Sequence, residues 1–364
     1  MSNMNNKFVI LLLVAALMHS CTGLEYGVAT TSEGSELNFK FDFSAAYHKP
    51  DGTPENAMVL LSELVSDTRY FFDTRTGFSV SKENEFPISN GEYYILSISS
   101  KQDDYIFNGL ESFEDPANPT AISAMQLEVK PMADEQVKEQ YGPCFKGIAS
   151  QFLTLPSVSP LYISIDSRVP VYFREPGEKI TLSLKPVEMS VTLDFSVNID
   201  LESDIVVDSV FAGISGVPYK MMLMEGNVVK DTLGISFFKM TPDNGRYTGS
   251  GKYSGSVDTW GLFSADFGDY ITGPGIFWVS IVASCADRSK VISAGLNIKE
   301  QIDEAKLMNS ADGGQTWKLA LKKVAFPIRN NIHISKEMIL SGGEDGVEGW
   351  ITVEDEEHPI VIDM

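Results

Sequence analysis

Met189-Ser-Val-Thr-Leu-Asp-Phe-Ser-Val-Asn-Ile199 carries an apolar residue at every second position, from Met189 through Val191, Leu193, Phe195 and Val197 to Ile199. A period of two sends alternate side chains to opposite faces of an extended backbone, so this stretch is a half-buried β-strand. The same period recurs upstream in Leu37, Phe39, Phe41 and Phe43 and again in Ile180, Leu182 and Leu184. A turn signal at Asn90-Gly91 opens a β-rich run to Ile98. Downstream, Phe277, Val279 and Ile281, then Trp317, Leu319 and Leu321, then Ile332 and Ile334, repeat the pattern. The chain is therefore all-β.

Lys185-Pro186 interrupts two alternating runs, and proline cannot donate to a central ladder, so the step marks a domain junction. The expected order is an N-terminal all-β domain over 35–185, a C-terminal one over 186–340, and a tail over 341–364. The 364-residue length suits two cores of ordinary size. Two helices are expected, over 117–128 and 299–308. Polar, glycine-rich stretches at 243–256 and 341–349 read as exposed loops.

The first 20 residues combine Lys7 with an apolar run from Phe8 to Leu17, too short to span a bilayer, and Ser20 precedes Cys21. This is a lipoprotein signal peptide, with Cys21 as the lipidated first residue of the mature chain and 21–34 as a lipidated linker. The body is then expected to be held at an envelope surface by acyl groups of the palmitate kind.

Fifty acidic residues against 28 basic ones give a formal charge of −22, which repels nucleic acid and excludes it as a partner. Cys144 and Cys285 could form one disulfide, but their separation and the lack of a spaced framework favour two buried thiols. His48, His333 and His358 stand apart and no nucleotide or nucleophile motif is present. Adjacent acids such as Asp103-Asp104 and Glu354 to Glu357 are solvated loop residues in this reading. No enzyme activity, cofactor or metal is expected.

Ser310-Ala-Asp-Gly-Gly-Gln-Thr-Trp317 has the form of a turn, with Asp312 accepting backbone N–H groups, Gly314 allowing the reversal and Trp317 packing beneath. Trp260 and Trp350 fall in loop-like sequence and are candidates for stacking on a glycan. In the tail, the segment with Trp350, Ile351 and Val353 and the segment with Ile360, Val361 and Ile362 follow an acidic, glycine-rich spacer. Each could complete its own sheet or pair with the open edge of another subunit.

The Cys21 signal, the strand from Leu37 to Phe43, Asn90 to Leu96, Val210 to Val217, Asp266-Phe-Gly268 and the tail pieces Gly349 to Val353 and Pro359 to Met364 occur in one order. Together they resemble the fimbrillin-like outer-membrane lipoproteins of Bacteroides-type bacteria, near the minor fimbrial anchor subunits. The resemblance implies two tandem transthyretin-like β-sandwich domains and a non-enzymatic anchor, accessory or adhesion subunit that joins fimbrial partners by β-strand addition. Stalk subunits of that family are cut at an arginine soon after the lipid cysteine, and this chain has none between Cys21 and Arg69. That departure implies a subunit retained on the membrane. The alternative reading is a surface glycan-binding lipoprotein of a polysaccharide uptake system.

Overall fold

The computed structural model describes residues 23–30, 35–47, 57–65, 69–73, 88–99, 104–109, 124–141, 153–264, 274–310, 314, 316–340 and 349–350. They form two compact units. The first draws its described residues from 23–99, 108–125 and 160–189, and the second from 104–107, 126–159 and 190–350.

The first unit is a sandwich of two sheets. One has the order β1-β2-β10, with β1 (Gly23–Thr30) antiparallel and β10 (Lys179–Leu184) parallel to β2 (Glu36–Asp42). The other has the order β11-β9-β5-β3-β4, built from β3 (Ala57–Glu63), β4 (Arg69–Asp73), β5 (Gly91–Ser99), β9 (Tyr162–Val171) and β11 (Val187–Glu188). Leu37, Phe39 and Phe41 alternate on the inner face of β2 and meet Val59, Leu61 and Ile95 from the facing sheet in one buried cluster. Burying a side chain of that size contributes about 1.5–3 kcal/mol, so a few such residues hold the layers together. Burial also pushes the Tyr93 hydroxyl up to about 12, and that hydroxyl donates to the carbonyl oxygen of Ser89 at 2.7 Å.

In the second unit the alternating stretch that begins the sequence reading becomes β12 (Val191–Leu201), with Val191, Leu193, Phe195, Val197 and Ile199 all buried. It lies between β17 (Gly251–Thr259) and β22 (Lys323–Ile334) in a sheet that continues through β16 (Leu233–Pro242), β13 (Ile205–Pro218), β18 (Ile276–Cys285) and β19 (Arg288–Asn297) to β23 (Gly349–Trp350). The short β8 (Thr154–Leu155) pairs with β16.

In a flat sheet, β12 and β18 would lie about 19 Å apart at the usual strand spacing. Their side chains nonetheless touch, because Phe195 stacks on Phe277 with ring centroids 5.2 Å apart. The sheet therefore folds back on itself. The turning point is β16, which pairs with β13 up to Met240 and with β17 at Thr241 and Pro242. Phe238, two strands away on β16, stacks on the same Phe195 ring at 5.3 Å, as does Phe326, its register partner on the neighbouring β22.

Helix α1 (Asp134–Tyr141) covers the opposite face of that sheet, where Val137 packs with Ile235, Phe237 and Trp278, and the Tyr141 hydroxyl donates to the Phe237 carbonyl at 3.0 Å. A Cβ at Gly213 would come within 2.6 Å of the Phe237 ring, so only glycine lets that ring lie across β13. A smaller sheet has the order β20-β21-β15-β14-β7-β6, from β6 (Tyr105–Asn108), β7 (Gln126–Val129), β14 (Lys220–Met222), β15 (Asn227–Val229), β20 (Met308–Ser310) and β21 (Thr316–Leu319). Helix α2 (Lys299–Ala305) precedes β20 and helix α3 (Lys336–Leu340) follows β22 in the sequence.

The all-β sandwich class agrees with the sequence reading, and several local expectations change. Part of the expected linker 21–34 is β1, paired along β2. Residues 126–129 are strand rather than the end of a helix, because Lys220 to Met222 supply a ladder partner and Lys220 pairs with Glu128 at 2.8 Å. Of the expected loop 243–256, residues 251–256 belong to β17, whose Tyr253 is fully buried between β12 and β16. The junction at 185/186 is not a clean cut through the chain either. Residues 126–159 group with the second unit, since β7 and α1 find their packing partners there.

Phe195→Ala removes the ring on which three others stack. The expected cost is about 3–5 kcal/mol, read as a lowered midpoint in chemical denaturation.

Candidate strand-acceptor edge

The folded sheet of the second unit ends in β22 on one side and, before the tail returns, in β19 on the other. The two edges differ. Strand β22 carries Pro327, which has no N–H to offer, flanked by exposed Lys323 and Arg329. Proline and cations on an outer strand are the usual protection against unwanted pairing. Lys323 is held by Asp194 at 2.8 Å and Arg329 by Glu304 at 3.3 Å.

Strand β19 pairs with β18 along its full length, from Ile276↔Asn297 to Cys285↔Arg288. On its other side, among the described residues, only Ile292 and Ser293 have ladder partners, Gly349 and Trp350, and these run parallel. The first part of the strand is covered by α3, where the Arg288 guanidinium donates to the Leu340 carbonyl and the Lys290 ammonium to the Met338 carbonyl. Helix α3 is fixed in turn at its N-terminus. The Lys336 N–H donates to Glu202 at 2.8 Å and its ammonium meets Asp204 at 2.9 Å, a hydrogen bond that holds the Asp204 carboxyl below the usual carboxylate range. Beyond Lys290, the run Val291 to Leu296 contains no proline and no charged residue. This part of the edge has the composition of an acceptor and already accepts one short strand.

The sequence-derived site residues fall as follows. Gly349 and Trp350 are placed by their backbone on β19, so the first tail segment meets the sheet of its own unit. Ile351, Val353, Ile360, Val361 and Ile362 lie outside the described residues, as do Cys21, Cys144 and Asp312. Cys285 is a buried free thiol. In the Ser310 to Trp317 box, β20 and β21 form a hairpin in which Ser310 opposes Trp317. Gly314 has φ +113°, a conformation side chains disfavour, and its carbonyl accepts the Trp317 indole N–H at 3.2 Å. Trp317 also packs edge-on against Phe263 at 5.6 Å with the Lys230 ammonium over its ring.

Trp260 corrects an expectation. It is 0 % exposed and stacks on Tyr105 at 5.6 Å, which leaves no ring face for a sugar. The same burial strongly raises the Tyr105 hydroxyl, which donates to the Ser159 carbonyl at 2.6 Å. Among the described residues no group of three or more His, Cys, Asp or Glu side chains is placed to hold a metal ion. Sequence reasoning missed β19 itself. The uncharged run Val291 to Leu296 was the available signal, but only the topology shows that it lies at an edge.

No family model matches this chain, and no curated protein matches it. Among solved structures, it is similar to a candidate adhesin from Bacteroides ovatus, at 11% identity over 87% of this chain and 94% of that one, with a TM-score of 0.46. It is also similar to the fimbrial anchor protein Mfa2 from Porphyromonas gingivalis, at 11% identity over 86% of this chain and 91% of that one, with a TM-score of 0.38. A candidate polysaccharide-binding protein from Bacteroides thetaiotaomicron matches at 11% identity over 83% and 92%, with a TM-score of 0.36. At these identities and scores the likeness establishes neither family nor function.

Trp260→Ala opens a cavity beside Tyr105. A loss of about 3–5 kcal/mol is expected, measured by thermal melting, whereas Trp260→Phe retains most of the packing and most of the stability.

Proposed function

We propose that this chain is a non-enzymatic surface lipoprotein, a fimbrial anchor, accessory or adhesion subunit that associates with other subunits by β-strand addition at the β19 edge. The observation that carries the reading is the contrast between the two ends of the folded sheet. One is guarded by Pro327 and cations, and the other is uncharged beyond Lys290 and holds two residues of the C-terminal segment. Backbone pairing supplies affinity at such an edge, and pockets for alternate side chains set the register. The tail pieces Trp350 to Val353 and Pro359 to Ile362 are β-capable and follow a glycine-rich spacer, which suits a strand that can seat at home or on a neighbour.

Membrane attachment in this reading is through acylated Cys21 at the outer membrane, with the body at the cell surface. Two or more acyl chains hold a protein far more firmly than one, because each buried methylene contributes about 0.8 kcal/mol. No helix of the described residues is long and apolar enough to cross a membrane. The glycan-binding alternative loses Trp260, one of the two stacking candidates it relied on.

Cys21→Ala is expected to abolish incorporation of radiolabelled palmitate and to shift the protein out of the envelope fraction. Unchanged labelling would remove the lipoprotein reading. Deletion of residues 347–364 is expected to leave the protein folded, because the two ladder pairs of its described residues are a small part of the sheet, and to abolish co-purification of partner subunits from cell envelopes. Unfolding or aggregation of the truncated chain would instead assign the tail to its own core.

A further inference from the structure

Helix α3 crosses from one edge of the folded sheet to the other. It follows β22 after Ser335 alone and packs on β18 and β19. Five residues are too few for a helix to stand by itself in water, so α3 is helical because it is docked. Ile339 is its one buried side chain, and charged groups hold both of its ends. At the first end, Lys336 meets Glu202, Ser203 and Asp204 in the turn between β12 and β13. At the other, the Met338 and Leu340 carbonyls accept from Lys290 and Arg288, cations of the sign that a helix C-terminus favours. The Asp204 side chain is 80% exposed, so its tie to Lys336 is open to water and is screened by salt.

The C-terminal segment starts from this helix. Leu340 is held at Arg288, four residues before Ile292, where Gly349 pairs, a distance of ~13 Å along the strand. Nine residue steps join Leu340 to Gly349 and can span about 30 Å, so with α3 docked the segment meets its own edge without strain. With α3 undocked the tether starts at Ser335 and has fourteen steps, and the effective concentration of the segment at its own edge falls about twofold, as the −3/2 power of tether length. Cys285 lies beside the same contact. It is the buried last residue of β18 and opposes Arg288 in the ladder, so its thiol is on the face that Arg288 turns to α3.

We propose that α3 is a clasp that holds the C-terminal segment on its own β19 edge, and that its undocking frees that edge for the strand of a neighbouring subunit. This regulation rests on β19 acting as the acceptor. Docking of α3 and seating of the segment then support each other, and loss of either loosens the other by the same factor.

The test is alkylation of the full-length protein by N-ethylmaleimide, read by peptide mass mapping at Cys285 so that Cys21 and Cys144 do not contribute. Alkylation is expected to quicken with added salt, and to quicken severalfold with Lys336→Glu, which turns attraction for Asp204 into repulsion. Adding Asp204→Lys to that variant should restore the slow rate. Lys323→Glu, which breaks the separate ion pair with Asp194, should leave the rate unchanged. Deletion of 347–364 should quicken alkylation about twofold, by reciprocity. A rate indifferent to salt and to Lys336→Glu overturns the clasp while the acceptor edge stands, and so does an equal rise with Lys323→Glu, which marks general loosening. A rate that rises with Lys336→Glu and not with the deletion overturns the hold on the segment. Failure of the acceptor reading itself shows separately, as co-purification of partner subunits that survives the deletion.

Discussion

The stack of Phe238 and Phe277 on Phe195 is the interaction on which the second unit depends, because it brings together strands that hydrogen bonding alone would keep far apart. A sheet of this width needs a reason to fold over. Here β16 serves both halves, and the aromatic rings supply apolar contact across the fold, where stacked pairs gain about 0.5–1.5 kcal/mol beyond the area they bury. The face left outside the fold would be a large apolar surface if α1 did not cover Ile235, Phe237 and Trp278.

Folding without closing into a barrel leaves edges, and the handling of those edges connects architecture to function. Strand β22 is long, the kind of edge that invites pairing, and Pro327, Lys323, Arg329 and a register shift after Pro327 are placed on it. Strand β19 meets α3 through Arg288 and Lys290 over its first residues, and Ile292 to Leu296 are buried. Among the described residues the C-terminal segment contributes two, compared with the ten register pairs that join β19 to β18.

Much of this was legible in the sequence where one face of a strand is buried and the other is not. Val191 to Ile199, Leu37 to Phe41 and Phe277 to Ile281 all alternate because their outward neighbours are polar or face a second layer. The strand β1 carried the same signal in Leu24, Tyr26 and Val28, hidden by its closeness to the signal peptide. Residues 251–256 read as a loop because Ser254, Gly255 and Ser256 are polar or small, whereas Tyr253, Val257 and Thr259 carry the buried face. Trp260 looked accessible between Thr259 and Gly261, yet Tyr105, distant in sequence, covers its ring. Gln126 to Val129 became a strand only because Lys220 to Met222 lie beside it. Pairing between distant segments is a property of the whole chain, and no local window contains it.

The claim that β19 is an acceptor edge is tested most directly by amide hydrogen exchange across residues 291–297 in protein lacking 347–364, with and without a peptide of those residues added in trans. The account predicts faster exchange in this stretch after truncation and slow exchange restored by the peptide, with β18 protected throughout. Exchange that is equally slow with and without the tail, and indifferent to the peptide, would contradict it.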